Sequence, residues 1–507
     1  MTHPPLLCFT TNTTQKMLSY QFLLATIILC LLQTHQTLSL QSNSFLLPLS
    51  HTLPSTNSSL HHLLKSSSLR SATRHGRRHG THRRPPLSLP LSSGSDYTLS
   101  LSVGPSSSPT TVSLFMDTGS DLVWFPCSPF ECILCEGKSN PNSNSTISPP
   151  PADSRLVSCA SPACSAAHSS QPSSDLCAAA KCPLDAIETS SCSSHACPPL
   201  YYAYGDGSLL AHLRHGRLSL SSSKPNSLSV SNFTFACAHS TLAEPVGVAG
   251  FGRGPLSLPA QLSALSPSLS SRFSYCLVPH SFRTDRLLHP SPLILGRSPE
   301  VSSIGPTESA FVYTPLLHNP KHPYFYSVAL EAISVGPTKI LARPDLASID
   351  HAGNGGMVVD SGTTFTMLPE ETFSQVSTEF ARHMSSARFS RAKETEAKTG
   401  LSPCYYFNSD RSSNRLVPSL AFHFKSNATV ELPRRNYFMG FKSDGKRVGC
   451  HMLMNGGGGS DETDSGPAGT LGNFQQQGFE VVYDLEADRV GFARRRCTAL
   501  WDTLARG

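Results

Sequence analysis

The 507-residue sequence predicts an all-β chain folded as two lobes around a shared cleft. Three observations carry that expectation. The composition is 38% hydrophobic and only 15% charged, with 40 Pro and abundant Ser and Gly, which suits strands and turns better than amphipathic helices. One design appears twice, as SLFMDTGSDLVWFP around Asp117 and GMVVDSGTTFTMLP around Asp360, 243 residues downstream. Finally, of 16 cysteines, all but Cys8 and Cys30 lie between Cys127 and Cys497, and most of these crowd before Cys197.

At the N-terminus, FLLATIILCLL (22–32) follows Lys16 and precedes small and polar residues. It is too short for a bilayer span of roughly 20 residues and reads as the core of a secretion signal over residues 1–38, with Met1 or Met17 as initiator. Residues 39–90 form a Ser-, His- and Arg-rich tract that includes SATRHGRRHGTHRRPP. It reads either as a solvated linker, having few ways to bury apolar surface, or as a basic prosegment removed on maturation by a cut between Arg84 and Asp96. Its His51, His61, His62, His75, His79 and His82 would gain charge in acid.

The tract also accounts for the net charge of +6. Residues 1–90 hold eight of the 40 Lys and Arg and no Asp or Glu, so the rest of the chain carries 32 basic against 34 acidic residues, about −2. Nothing in that balance points to a nucleic-acid surface.

In each motif two apolar residues lead into the Asp (Phe115 and Met116; Val358 and Val359), which predicts a buried strand ended by a turn. Gly119 and Gly362 let that turn bend tightly, and Ser120 and Thr363 place a hydroxyl at the same offset, able to donate to the carboxylate. One Asp at a strand end is most often a turn former. Two in matched contexts predict lobes related by a pseudo-dyad, each delivering one carboxylate. After Pro369, Phe373, Val376, Phe380 and Met384 recur at helical spacing and read as core packing. GFGRG (250–254) lacks the G-x-G-x-x-G spacing and strand-helix context of a dinucleotide loop. Cys132 and Cys135 form a CxxC with no second pair or His at zinc-ligand spacing, so no metal or other cofactor is expected. An even cysteine count behind a secretion signal argues for disulfides, and the Ser/Pro/Asn-rich stretch 127–197 needs them to hold any shape.

These residues resemble the pepsin-like aspartic proteases, and among them the plant nepenthesin-like group, over about 96–497. The resemblance rests on Asp117-Thr118-Gly119-Ser120, Asp360-Ser361-Gly362-Thr363, the flap-like YAYGDGS (202–208), VGVAGFGRGPLSLP (246–259) and GTLGNFQQQGFEVVYD (469–484). It implies a bilobal pepsin-like fold with an N-terminal lobe at 91–317, bearing a cysteine-rich insertion at about 128–197, and a C-terminal lobe at 318–507. Asp117 and Asp360 become the catalytic pair, with Tyr204 and Gly205 on the flap and Trp124 holding the Tyr204 phenol. It pairs Cys276 with Cys497, Cys404 with Cys450 and Cys135 with Cys237, and leaves the pairing inside the insertion open.

The activity it implies is a secreted endopeptidase, extracellular, in the cell wall or in the vacuole. Its partners would be protein or peptide substrates, with no nucleic acid, no stable membrane anchor and a monomeric state. Asn144, Asn232 and Asn427 open N-x-S/T sequons expected at the surface of a secreted chain. The alternative is a catalytically silent binding or inhibitor protein on the same fold. Such relatives typically damage one Asp-Thr/Ser-Gly motif, and both are intact here.

Overall fold

In the computed structural model the apolar lead-in to each motif is a buried strand. The structure describes residues 44–52, 59–78, 96–135, 153–204, 207–222, 227–242, 246–266, 269–280, 282, 289–297, 310–406, 416–457 and 466–506. The secretion-signal segment 1–38, Asn144, Gly205 and the side chain of Tyr204 lie outside the described residues. Among the described residues no helix is long and apolar enough to cross a membrane.

The tract at 39–90 is the largest departure from the sequence reading. Part of it is ordered, as strand β1 (Phe45–Thr52) and helix α1 (Leu60–Arg78). Leu46, Leu47 and Leu49 of β1 and Leu63 and Leu64 of α1 are buried. The solvated-linker reading fails because α1 buries serines: Ser67, Ser68 and Ser71 continue the stripe of Leu63 and Leu64 at helical spacing. Small hydroxyls allow close approach but give no apolar periodicity to read.

In the N-terminal lobe, β2 (Asp96–Val103) and β3 (Thr110–Asp117) form an antiparallel hairpin, and β4 (Val123–Ile133) leaves the Asp117 turn. The flap hairpin is built by β5 (Leu200–Tyr204) and β6 (Gly207–Ser221), paired out to Tyr204 opposite Gly207; β7 (Ser227–Leu242) follows. The short β8 (Val248–Gly250) then inserts between β3 and β4, parallel to the first and antiparallel to the second. It sets Gly250 opposite Asp117. Gly250 must be glycine, since a Cβ there would stand 2.4 Å from the Asp121 carbonyl carbon.

The two lobes share a sheet in which β9 (Phe273–Cys276) lies between β10 (Ser291–Leu295) and a strand from the far end of the chain. After β11 (Val312–Leu317), the C-terminal lobe repeats the first lobe's design. Strand β12 (Met357–Val359) leads into Asp360, helix α2 (Glu370–Ser386) follows, and β13 (Gly469–Leu471) lies parallel to β12. Val376, Phe380 and Met384 of α2 are fully buried, and Phe373 packs on the same core, as its spacing predicts. The chain closes with β14 (Phe479–Asp484) and β15 (Arg489–Arg494). The shared sheet runs β1-β10-β9-β14-β15-β11, antiparallel throughout. Its centre is aromatic: the rings of Phe273 and Tyr483 stack at 4.6 Å.

Among its described residues the insertion contains three short helices, Pro162–Ala167, Ser173–Ala179 and Leu184–Glu188, crosslinked with the segments around them by Cys159–Cys177, Cys164–Cys197 and Cys182–Cys192. Four sulfurs cluster with Ala180, Ala186 and Ile187 packed around them, while Val157, Leu176 and the Cys164–Cys197 bridge pack against Trp124 and the flap strands. Cys276–Cys497 and Cys404–Cys450 pair as expected. The expected Cys135–Cys237 bridge is wrong: Cys237 joins Cys127, and Cys135 joins Cys132. Register explains the correction. β4 and β7 run parallel with Phe125 opposite Cys237 and Ile133 opposite Leu242. Cys135 therefore lies beyond the row of Leu242, five residues past Cys237, or at least about 16 Å along the strand, where a bridge cannot close. Non-reducing peptide mapping should recover Cys127 linked to Cys237. Joining of Cys237 to Cys135 would contradict this register.

Candidate active site

The two aspartates meet where the Asp turns of the lobes face each other. Asp117 and Asp360 are both buried. Each is held the same way. Gly119 N–H donates to Asp117 Oδ1 at 2.9 Å and Ser120 Oγ to Asp117 Oδ2 at 2.8 Å. In the other lobe Gly362 N–H donates to Asp360 Oδ1 at 2.8 Å and Thr363 Oγ1 donates to Asp360 Oδ2. The hydroxyls at matched offset thus do what their spacing predicts.

The turns are also tied to one another. Thr118 N–H donates to Ser361 Oγ at 3.0 Å, and Ser361 N–H donates to Thr118 Oγ1 at 2.9 Å. Each hydroxyl in turn donates to a carbonyl across the seam, Thr118 Oγ1 to Val359 O and Ser361 Oγ to Met116 O, both at 3.0 Å. Both N–H groups and both hydroxyls of this buried knot are used, which fixes the carboxylates relative to each other. The approach is close: a Cβ on Gly362 would stand 2.3 Å from Asp117 Oδ1. Beneath Asp360, Gln476 Nε2 donates to its carbonyl at 3.3 Å while Tyr275 Oη donates to Gln476 Oε1 and lies 2.9 Å from Tyr483 Oη.

One residue at the centre was not singled out by sequence reasoning. Arg74, from α1, places Nη2 3.1 Å from Oδ1 and 2.9 Å from Oδ2 of Asp117, and 3.7 Å from Oδ2 of Asp360. Arg70, one turn earlier, lies over the Phe115 ring at 5.8 Å. Ser71 Oγ accepts from Phe365 N–H at 3.1 Å, so α1 is seated against both lobes. The available sequence signal was Arg70 and Arg74 at i and i+4 within the serine stripe.

Trp124 is buried on β4 among Phe115, Leu122, Leu200, Leu209 and Val248. Its expected partner, the Tyr204 side chain, lies outside the described residues. Tyr202, two residues earlier on the flap strand, accepts a hydrogen bond from the backbone of Asp121. Asp121 itself is wrapped by the GFGRG loop, whose role is thereby structural: Gly254 N–H donates to Asp121 Oδ1 at 2.8 Å, and a Cβ on Gly252 or Gly254 would strike the carboxylate. Burial pushes this carboxyl up to about 7, against the pull of the Gly254 N–H. As for metals, the Cys/His groupings close enough to hold an ion among the described residues, Cys159-Cys177-Cys192 and Cys164-His168-Cys197, have their sulfurs in disulfides and offer no thiolate.

A two-lobed all-β fold with one Asp-Thr/Ser-Gly turn per lobe defines the class of pepsin-like proteins. Residues 97–296 match the family model described as Xylanase inhibitor N-terminal, and residues 325–494 the one described as Xylanase inhibitor C-terminal. A probable aspartyl protease of Arabidopsis thaliana is 54% identical over 93% of this chain and 96% of its own length. Aspartic proteinase nepenthesin-1 of Nepenthes gracilis is 31% identical over 80% of this chain and 78% of its own. Two solved structures share the fold: edgp (TM-score 0.60, 17% identity, 91% of this chain and 96% of that one) and basic 7S globulin from soybean (TM-score 0.57, 18% identity, 90% and 99%). The chain belongs to the plant pepsin-like aspartic protease family.

Asp121 yields a stability prediction. A carboxyl raised from 3.8 to about 7 by folding favours the folded state when protonated. Stability from this site is therefore complete below 3.8 and lost as pH rises toward 7. Asp121→Asn keeps a carbonyl acceptor for Gly254 N–H and carries no charge. Its melting temperature should exceed that of the parent at neutral pH and match it in strong acid; an equal difference at both pH values would refute the assignment.

Proposed function

We propose that the chain is a secreted aspartic endopeptidase, made as a zymogen, that hydrolyses peptide bonds at acid pH. The observation that carries this reading is the pair of buried carboxylates, held in matched cradles from two lobes, with Arg74 of the tract across both. Two carboxyls that share a cleft hold one proton between them at acid pH. The ionised member takes a proton from a bound water, and the protonated member donates to the scissile carbonyl oxygen, so water attacks without a covalent intermediate. The roles of acid and base belong to the coupled pair of Asp117 and Asp360. Thr118, Gly119, Ser120, Ser361, Gly362 and Thr363 hold that pair, and Tyr204 with Gly205 would close over substrate.

Arg74 fits a resting state. A guanidinium across the dyad compensates two negative charges and occupies the place of the attacking water, so hydrolysis needs α1 removed. Residues 39–90 are accordingly the prosegment, 1–38 the signal, and 91–317 and 318–507 the two lobes of a monomer. Asn232 and Asn427 are exposed in their sequons, which suits glycosylation of a secreted protein.

The description of the matched models as xylanase inhibitors supports a second reading, a catalytically silent binding or inhibitor protein. The intact cradle around each aspartate favours the enzyme, because a binder has no need of two equivalently held carboxylates.

Purified protein freed of residues 39–90 should hydrolyse denatured protein with a bell-shaped acid pH profile. Asp117→Asn and Asp360→Asn should each lose it by about a thousandfold or more, as the amide cannot carry the proton. Near wild-type cleavage by either variant, or a neutral optimum, would put the binding protein first. Arg74→Ala in the uncut chain should raise basal hydrolysis at least about tenfold, since breaking a buried pair of this kind costs several kcal/mol. No rise would remove Arg74 from the inhibitory role.

A further inference from the structure

Two histidines meet across the seam between the tract and the body of the protein. The ring of His51, on β1, lies 3.9 Å from that of His280, which follows β9, measured between centroids. On the same strand pair Tyr97 of β2 is the register partner of His51, its ring 5.0 Å away and edge-on. His280 is backed by Phe282 and Phe474 at 5.1 and 6.0 Å, and its backbone N–H donates to Gln477 Oε1 at 3.2 Å. Among the described residues, Tyr97 from β2, Phe282 from the following loop, and Phe474 and Gln477 from the segment after β13 face the pair. These are three aromatic rings and a neutral amide.

The chemistry of this pocket permits one protonation state. Two rings so close, both buried, pack well when neutral; a cation on either loses its water, and cations on both repel at short range. Strand β1 is also the edge of the shared sheet, held by β10 along one side and by three residues of β2 at its end. Whatever destabilises His51 acts directly on the attachment of the strand from which α1 and Arg74 continue.

We propose that His51 and His280 form an acid-sensitive latch, which keeps β1 docked while both rings are neutral and releases it, with the helix bearing Arg74, when the pair takes up protons. This rests on the zymogen reading above and identifies a trigger for it outside the dyad.

Burial lowers His51 from 6.5 to about 3, and burial with the neighbouring His51 lowers His280 well below 6.5. The contribution of each ring to docking is therefore complete above 6.5 and is lost as pH falls toward 3. Release takes up as many as two protons at this site. The docking equilibrium should then weaken by up to about tenfold per pH unit for each histidine, or about a hundredfold for the pair.

The test uses the uncut full chain in an Asp360→Asn background, which prevents self-cleavage and keeps the stronger Arg74 contact to Asp117. Pulsed hydrogen exchange of residues 45–52, corrected for intrinsic rates, is followed from neutral to acid pH. Protection of β1 should be lost in acid, and His51→Phe and His280→Phe should each hold it to a pH at least roughly one unit lower. His62→Gln, at an exposed position of α1, should leave the midpoint unchanged. Loss of protection at the parent's pH in both Phe variants overturns the latch, as does protection that does not vary with pH. Should His51→Phe fail to dock even at neutral pH, His280→Phe decides alone. The readout needs no hydrolysis: a working latch in a protein whose Asp360-containing form never cleaves substrate would sink the protease reading only, and active cleavage with unshifted midpoints would sink the latch only.

Discussion

The reciprocal hydrogen bonds between Thr118 and Ser361 are the constraint on which the rest of this structure depends. They join two turns 243 residues apart in sequence, each residue's backbone N–H donating to the other's hydroxyl oxygen across the lobe interface. A pair of carboxylates can share a proton only if their separation is held to a fraction of an ångström. The strands around the knot serve that tolerance. β8 and β13 thread beneath the two Asp turns in equivalent positions, and the shared sheet stiffens the seam from below with stacked Phe273 and Tyr483.

Preorganisation also accounts for where α1 sits. Two acidic side chains fixed in a buried cleft are already a cation site, and Arg74 occupies it. A buried guanidinium is tolerable only when paired, so α1 is drawn to the dyad with a definite register. The serine stripe of α1 lets it lie close, with Ser68 Oγ donating to Thr399 O at 3.1 Å and Ser71 accepting from Phe365. The insertion shows the opposite strategy. It has few apolar residues, and disulfides that tie its short helices to the flanking segments take over much of the work of the hydrophobic core that composition denies it.

The two halves meet the same demand with different side chains. Under Asp117 the loop is glycine-rich because the Asp121 carboxylate fills the space that side chains would take. Under Asp360 the equivalent loop carries Asn473 and Gln476, which donate to the Ser361 and Asp360 carbonyls. An approximate dyad therefore governs the backbone and the first contacts of each carboxylate, while the layer behind them is free to differ.

What the sequence alone determined follows from local rules. Apolar residues before each Asp specified a buried strand, glycine specified the tight turn, the hydroxyl three residues on specified the carboxylate's orientation, and the stripe after Pro369 specified α2. All act within a few residues, where backbone geometry decides who meets whom. Arg74 on the dyad, Cys127 rather than Cys135 on Cys237, and His51 against His280 were decided only by tertiary structure. Each joins segments separated by 43 to 286 residues, a spread set by Arg74 with Asp117 and by Arg74 with Asp360. Such meetings depend on strand register and on how one lobe faces the other, quantities that no local pattern of residue types encodes.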